Sequence, residues 1–508
     1  MIPTIDAATP RRFVYGILIA LAVGAVAGKI LAVQRLYEPA LFRPDPNDTS
    51  DQRSAWPKYR PEPEPSLGDN DRSRWATARA LVDNGTYAIG YRDNESEHNY
   101  HDSGIIAEDG WKTIDKVLLN RDGQRTFYSS KPPFLATLVA GEYWVLKHGF
   151  GLSIIRDRWV VMRIILLTIN GIPFVIYLVL LSRLLERYGT TDWGRYLVLA
   201  AAGVGTLVLP FMITLNNHIL AAFAVLFALY PVLKIWSAYR AGTDNGRALH
   251  AGYFLLAGFF AAVAACMELP ALSLAAALLV LLFWLAPLRT LALFVPAAAI
   301  PAAAFFLTNY QAIGKLTPAY AEFGGPAYQY AGSHWKPPES GQVQHGIDFA
   351  HESKPVYAMH MLVGHHGFFS LTPIFLPALV GLGAAFVIRR RSAGKLSAEP
   401  GFPVRDSGLL GTMLLTVLLS VVVIGFYIYK SNNYGGWTSG MRWLIWLTPL
   451  WLLSLLPAAD WLSVRRWGRG LAYLLLAVSV LSAHYPPWNP WRHPWLYNLL
   501  AWAGLVRY

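Results

Sequence analysis

Apolar residues in this chain gather into long unbroken runs, separated by short polar breaks and two long polar stretches. A helix needs about 20 consecutive apolar residues to cross a hydrocarbon core of about 30 Å, and the runs have that length. Eleven spans are expected, at roughly 13–34, 158–181, 193–212, 217–236, 251–267, 270–286, 290–309, 366–388, 408–429, 441–458 and 470–485. The predicted fold class is an all-α polytopic membrane protein. Its expected organisation is a first span within 1–34, a large loop over 35–157, spans over 158–309, a second loop over 310–365, spans over 366–485 and an aromatic tail over 486–508. Inside the first loop, the Pro-rich, charged stretch 40–66 reads as an extended tether. Arg72 to Val82 reads as a short amphipathic helix ended by Asp83-Asn84-Gly85. Phe134 to Leu146 is apolar but too short to span, so a helix lying in the membrane interface is expected, and the tail from Tyr485 reads the same way.

Composition narrows the class. Hydrophobic residues make up 54% and charged residues 15%, with a mean hydropathy of +0.34, which requires a lipid solvent rather than water. The formal charge of +12 does not point to nucleic acid, because the basic residues sit beside the apolar runs. Arg183, Arg187, Arg195, Lys234, Arg240, Arg247, Arg289, Arg389 to Arg391 and Arg465-Arg466 fall on one side of the alternating spans. The opposite short loops, near Asn216-Asn217 and Glu268, carry no Lys or Arg, while Lys430 and Arg442 flank an exception. The positive-inside rule then places the N-terminus in the cytoplasm and both long loops outside. Arg11-Arg12 followed by an apolar run reads as an uncleaved first span. Cys266 is the single cysteine and excludes an intrachain disulfide or a thiolate metal site.

Two elements of the first loop carry candidate chemistry. Asp69 and Asp71 open DNDRSRW, with Arg74 before Trp75, and Lys131 stands in SKPPF at the loop's end. Read alone, Asp71 is either a helix N-cap or a general base, and Lys131 either a snorkelling lysine or an anion contact. The pairing of the two elements resembles the lipid A aminoarabinose transferases and protein O-mannosyltransferases. There an acidic-acidic-x-Arg-aromatic element follows the first span, and a Lys-Pro-Pro element closes the same loop. In this alignment Asp71 takes the first acidic position and Arg74 the Arg, but Arg72 stands where the second acid is expected, leaving Asp69 as an alternative counterpart. The resemblance implies a GT-C fold, with Asp71 or Asp69 as base, Arg74 beside it, and Lys131 on the phosphate of a polyprenyl-linked donor. Tyr128, Ser129 and Ser130 are adjacent hydroxyls.

In the second half, GHHGFFSLTP with His365 and His366, and NNYGGWTSGMRW with Tyr434 and Arg442, resemble the glycine-rich, Arg-containing entrances of bacterial membrane glycosyltransferases. Arg442 suits a phosphate or sugar. His218, with Asn217, and Glu268 are expected to line the same cavity, and His365 and His366 either bond substrate or cap the interface. Asp102, Glu108, Asp109 and Asp115 form an acidic stretch whose spacing matches no calcium loop, so no metal and no cofactor are expected. Walker, Rossmann, Gly-x-Ser-x-Gly and His-Glu-x-x-His signatures are absent. The expectation is a glycosyltransferase of the inner (plasma) membrane moving a sugar from a polyprenyl-phosphate donor to a lipid, glycan or protein acceptor, with the bilayer as partner and no nucleic acid. A polyprenyl-linked glycan polymerase or ligase is the alternative and a transporter the third reading. The transporter calls for charges at mid-membrane, whereas here they sit at span ends.

Overall fold

The computed structural model describes residues 8–32, 42–43, 54–55, 63–94, 99–121, 123–241, 250–337, 344, 346–383, 406–485 and 488–506. Most of the 40–66 tether, Arg247 and Arg389 to Arg391 lie outside the described residues.

Helices dominate. They are α1 (Ala8–Ala32), α2 (Asp69–Asp83), α3 (Pro133–Phe150), α4 (Arg158–Leu166), α5 (Ile172–Tyr188), α6 (Asp192–Val204), α7 (Val208–Phe211), α8 (Asn217–Ala241), α9 (His250–Met267) and α10 (Leu272–Leu285). After them come α11 (Pro287–Arg289), α12 (Val295–Ile313), α13 (Lys354–Leu362), α14 (Phe368–Leu371), α15 (Ser407–Lys430), α16 (Thr448–Ser463), α17 (Arg466–His484) and α18 (Trp495–Trp502). A π turn at Leu167–Gly171 joins α4 to α5, and another at Thr290–Phe294 joins α11 to α12.

Seven helical stretches are long and apolar enough to cross a membrane: Thr9–Ala32, Arg158–Tyr188, Asp192–Phe211, Asn217–Arg240, Pro287–Ile313, Ser407–Lys430 and Arg442–Ser463. The expected eleven is therefore not reached among the described residues. Ala251–Met267 and Leu269–Leu285 are apolar but cut short by the turn at Glu268, and Pro373–Gly383 is shorter still. Helix α17 is long, but its two faces differ, with Arg466 and Arg469 near its start. Arg442–Ser463 is 94% buried, whereas Thr9–Ala32 is only 22% buried. The outer helices expose Phe13, Ile17, Leu21, Trp284, Leu288 and Val421, an apolar outside that calls for lipid rather than water.

The segment after α1 holds more than helices. Strands β1 (Phe42–Arg43) and β2 (Ser54–Ala55) pair in parallel. Strands β3 (Gly90–Asn94), β4 (Tyr100–Ser103), β5 (Lys116–Arg121) and β6 (Gln124–Ser129) form an antiparallel sheet in the order β4-β3-β6-β5. The sequence reading foresaw only helices here, because the strands are short and their polar residues do not alternate cleanly. Register Lys116↔Ser129 and Gly90↔Phe127 brings the end of β6 against α2. The Ser129-Ser130-Lys131 corner is delivered there.

Helix α2 also departs from expectation. It begins at Asp69, and Asn70 through Ala80 are all buried, so it has no solvated face. Its polar side chains find partners inside: Arg79 makes a two-pronged contact with Glu108 (2.6 and 2.8 Å) and lies over Trp111. Ser73 Oγ donates to the Asp115 carbonyl (2.6 Å). Helix α3 packs on α2 through Leu135, Val139, Tyr143 and Leu146, while Leu138, Trp144 and Phe150 stay exposed.

At the opposite end of the bundle, Asp460 in α16 holds the turn between α5 and α6. Its carboxylate accepts from the N–H groups of Thr190 (2.7 Å) and Thr191 (3.0 Å) and from the Thr191 hydroxyl (2.6 Å). Thr191 in turn caps α6 by accepting from Gly194 N–H (3.1 Å). Asp460→Ala leaves buried donors without an acceptor, so it is expected to lower stability by about 2–4 kcal/mol, and Asp460→Asn by less. Unfolding of detergent-solubilised variants followed by denaturant or heat checks this; equal stability of the alanine variant and the parent would contradict it.

Candidate functional site

Between α7 and α8 the chain leaves the helix. Met212 to Asn216 are non-helical and fully buried, so their backbone groups need partners that no ladder supplies. Turn bonds from Met212 to Leu209 and from Thr214 to Phe211 meet two of them, and side chains meet others. Asn170, at the π turn, donates to the carbonyls of Met212 (2.9 Å) and Thr214 (3.0 Å), and Asn216 donates to Phe211 and Thr214. Asp71 supplies the acceptor: Oδ1 takes the N–H of Leu215 (2.8 Å) and Oδ2 takes that of Leu67 (3.0 Å). Asp71 is thus no N-cap, since Gly68 holds that position, but it does reach back to the strand-like lead-in of α2. Burial pushes its carboxyl up to about 6, against the lowering effect of the two backbone N–H bonds, Trp75 and Arg74.

One turn along α2, Arg74 is 3% exposed. Its guanidinium donates to the Asn70 carbonyl (3.0 Å), to the Asn70 side chain and to Asn217 Oδ1 (2.5 Å). Burial lowers it to about 10, with Asp115 opposing that shift. Asn217 opens α8 and passes the network on, donating to the Met267 carbonyl and to Glu268 Oε1, each at 2.7 Å. Glu268 also meets His218 Nδ1, and His218 Nε2 lies 3.1 Å from Arg442 Nη1. Arginine has donors only, so Nε2 accepts and the His218 proton sits on Nδ1, given to Glu268. Arg442 is held further by the Gly435 carbonyl (3.0 Å) and the ring of Trp491.

Lys131 reaches the same charges from the sheet side. Its ammonium pairs with Asp115 Oδ1 at 2.9 Å, and its backbone N–H donates to Ser129 Oγ (3.1 Å). Burial pushes Lys131 down, Asp115 pulls it back up, and the repulsion of Arg442 and Arg74 adds to the lowering. Beside it runs a cleft lined by Thr77, Tyr87, Tyr128, Ser129, Pro133 and Asn309. Asn309 Oδ1 and Ser130 Oγ are buried with no hydrogen-bond partner among the described residues.

The structure therefore joins Asp71, Arg74, His218, Glu268, Arg442 and Lys131, drawn from five separated segments, at one end of the bundle. Asp69 stands apart: it accepts from Ile114 N–H (3.1 Å) and pairs with Arg72 (3.3 Å) near the surface. Arg72 thus neighbours the acid it displaces in the motif. His365, His366 and Tyr434 form a second group, with both histidines fully buried and Tyr434 bonded to Glu352. The acidic stretch does not converge. Asp102 pairs with Arg92, Glu108 with Arg79 and Asp115 with Lys131, while Asp109 is exposed. Asn70, Asn309, Glu352 and His360 were missed by the sequence reading. Nothing in their local spacing sets them apart; Asn70 and Asn309 are buried, and Glu352 and His360 half-buried, only once the chain is folded.

No family model matches the chain, and no curated protein matches it. Among solved structures, the Archaeoglobus fulgidus oligosaccharyltransferase AglB in complex with an inhibitory peptide and a dolichol-phosphate matches with TM-score 0.45 and 12% identity, over 96% of this chain and 57% of that one. The A. fulgidus oligosaccharyltransferase complex with Zn and sulfate matches with TM-score 0.42 and 14% identity, over 96% and 55%. The chain thus spans little more than half the length of these proteins.

The elevated Asp71 carboxyl has a consequence for stability. A folded-state value near 6, above the ordinary carboxylate value, makes the folded protein the tighter proton binder. The contribution of this group is then full below about pH 4 and is lost as pH rises through about 6. Asp71→Asn is expected to remove that falling component from the parent's stability profile. Melting temperatures of both proteins in detergent from pH 4 to 8 test this, and parallel profiles would refute it.

Proposed function

We propose that the chain is a membrane glycosyltransferase of the GT-C type that moves a sugar from a polyprenyl-phosphate donor to a lipid, glycan or protein acceptor. The observation that carries this reading is the meeting of three cations, Lys131, Arg74 and Arg442, with the buried Asp71 at one end of an apolar bundle. Two of the segments involved are the DRSRW and SKPPF elements on which the family resemblance rests. Cations in fixed positions, Arg74 buried and Lys131 and Arg442 half-buried, suit an anion that is itself anchored in lipid.

In the proposed reaction an acceptor hydroxyl or amine attacks the anomeric carbon. The bond from that carbon to the phosphate oxygen breaks, and its electron pair leaves on the phosphate. Lys131 and Arg442 stabilise the growing charge, and the acceptor's proton passes to Asp71, which is largely ionised at neutral pH with a value near 6. Arg74 orients the Asn217–Glu268–His218 relay that holds Arg442 in place. The phosphate is proposed to sit at Lys131, beside Tyr128 and Ser129; the cleft there is too narrow as it stands for more than about one water and must widen to admit the donor. The membrane is proposed to be the inner (plasma) membrane, with the N-terminus cytoplasmic and this end of the bundle outside, from the basic loops at the other end.

Orientation is open to direct labelling. Asp109 is exposed, so Asp109→Cys in a Cys266→Ala background should react with a membrane-impermeant thiol reagent in cells whose plasma membrane is intact. Reaction only after that membrane is breached would reverse the assignment.

Lys131 and Asp71 separate binding from chemistry. Lys131→Ala is expected to weaken binding of the polyprenyl-phosphate product by about ten- to a hundredfold, the loss of a charge-assisted contact of about 1.5–3 kcal/mol, and Lys131→Arg to keep part of it. Asp71→Asn should slow transfer by about 10²–10⁴-fold; because the amide can accept from only one of the two N–H groups, product affinity close to the parent's is the check that the site's frame has survived. Unchanged product affinity in the lysine variant would leave it a lysine that merely seats the chain in the interface, and near-parental transfer by the asparagine variant would remove Asp71 as base.

A further inference from the structure

Outside this site, the second loop gathers a group of ligand-forming side chains that the proposed transfer does not use. Glu352 precedes α13, His360 lies on its last turn, and His365 follows the turn at Gly364. One ligand atom from each of the three lies within 4.8 Å of the others, and Glu352 Oε1 is 3.8 Å from His360 Nε2. Two ligands about 2.1 Å from a tetrahedral ion sit about 3.4 Å apart, so the three atoms must close by up to about 1.4 Å to share one. We propose that Glu352, His360 and His365 bind a single first-row divalent cation of borderline softness.

The surroundings are those of a built site. Tyr434 donates its hydroxyl to the other oxygen of Glu352, which fixes the carboxylate with Oε1 toward the histidines. The Tyr434 ring packs against His365 (4.8 Å between centroids) and His366 (5.2 Å). The His360 and His365 rings lie 4.0 Å apart and 25° from parallel, so they must turn toward each other for both in-plane lone pairs to meet one ion; His365 Nδ1 faces His366 Nδ1 at 2.5 Å. Gly364 makes the approach possible. A Cβ there would come 2.4 Å from His360 Nδ1 and 2.6 Å from His360 Cα. That Nδ1 faces Gly364 and has no hydrogen-bond partner among the described residues, so it is Nε2, on the Glu352 side of the ring, that His360 offers to the ion.

Two imidazoles and one carboxylate suit Zn²⁺, Co²⁺ or Fe²⁺, whereas Ca²⁺ and Mg²⁺ favour all-oxygen cages. The expectation of no metal rested on the acidic stretch around Asp102 to Asp115 and did not weigh Glu352, His360 and His365, which the turn at Gly364 brings together. The ion would act as a clamp. Tyr434 belongs to the turn whose Gly435 carbonyl holds Arg442, and Asn433 in that turn bonds Asp348 of the second loop. Tying Glu352 to the two histidines stiffens the seat from which Arg442 hangs.

The test uses the full chain in detergent, with any affinity tag removed and adventitious metal stripped by chelator. Co²⁺ titration should give a visible ligand-field band that saturates at one equivalent, and calorimetry with Zn²⁺ should give the same stoichiometry and a raised Tm. Glu352→Gln and His360→Ala should each weaken binding at least tenfold, whereas His148→Ala, on the exposed face of α3, should not. Ca²⁺ and Mg²⁺ should not compete. If one variant fails to fold, His365→Gln takes its place, with metal-free Tm as the check. Absence of the band, or binding that survives in the Glu352→Gln, His360→Ala double variant, would overturn the proposal.

Discussion

An interrupted helix inside an apolar bundle imposes the main constraint on this protein. The backbone of Met212 to Asn216 is buried and lipid offers no hydrogen bonds, so the groups that the local turns Met212 N–H to Leu209 and Thr214 N–H to Phe211 leave unmet fall to side chains. Asp71 is the most demanding of those partners, because it comes from a helix more than a hundred residues earlier and binds two backbone N–H groups at once. Its carboxylate joins α2 to the opening of α8. Once that joint is made, Arg74 faces Asn217, Asn217 faces Glu268, and His218 faces Arg442. The polar site follows from satisfying a broken helix.

The same joint explains how so much charge is tolerated out of water. Buried ions are costly unless paired and hydrogen-bonded. Here Lys131 has Asp115, Arg74 has two asparagines, and Glu268 has both Asn217 and His218. Some polar atoms remain without a partner among the described residues: Arg74 Nε, Asn170 Oδ1 and Trp491 Nε1 in the cluster itself, and Asn309 Oδ1 and Ser130 Oγ on the Lys131 side. Asp71 belongs to the frame as well as to the proposed chemistry. A group so firmly bonded is well oriented, but it must release little of that bonding to accept a proton.

The sheet between α2 and α3 does quieter work. By pairing β6 with β5 and β3, it sets the direction from which Lys131 enters and places Asp115, at the start of β5, opposite it. The second loop plays a matching part for Arg442 through Asn433, Asp348 and Tyr434. Each cation is thus aimed by an element outside the spans. Loops carrying functional groups on a rigid helical base are a common division of labour.

What the sequence determined by itself was the solvent and the segmentation. Runs such as Phe13 to Val33 and Ser407 to Lys430 declare a lipid environment, because hydropathy and length depend on local composition alone. The DRSRW and SKPPF elements were equally legible, being contiguous. Span number was less so: the hairpin at Glu268 sits at the limit of crossing length, and a few residues either way change the count. The burial of α2 was invisible, since its polar residues look solvated until Glu108, Asp115 and Leu215 arrive from elsewhere. Asp115 as partner of Lys131, the split of Asp69 from Asp71, and the approach of Glu352 to His360 and His365 were decided only by the tertiary structure. Each depends on segments far apart in the chain meeting at hydrogen-bond distance, and pairwise geometry of that kind leaves no periodic trace in a single sequence.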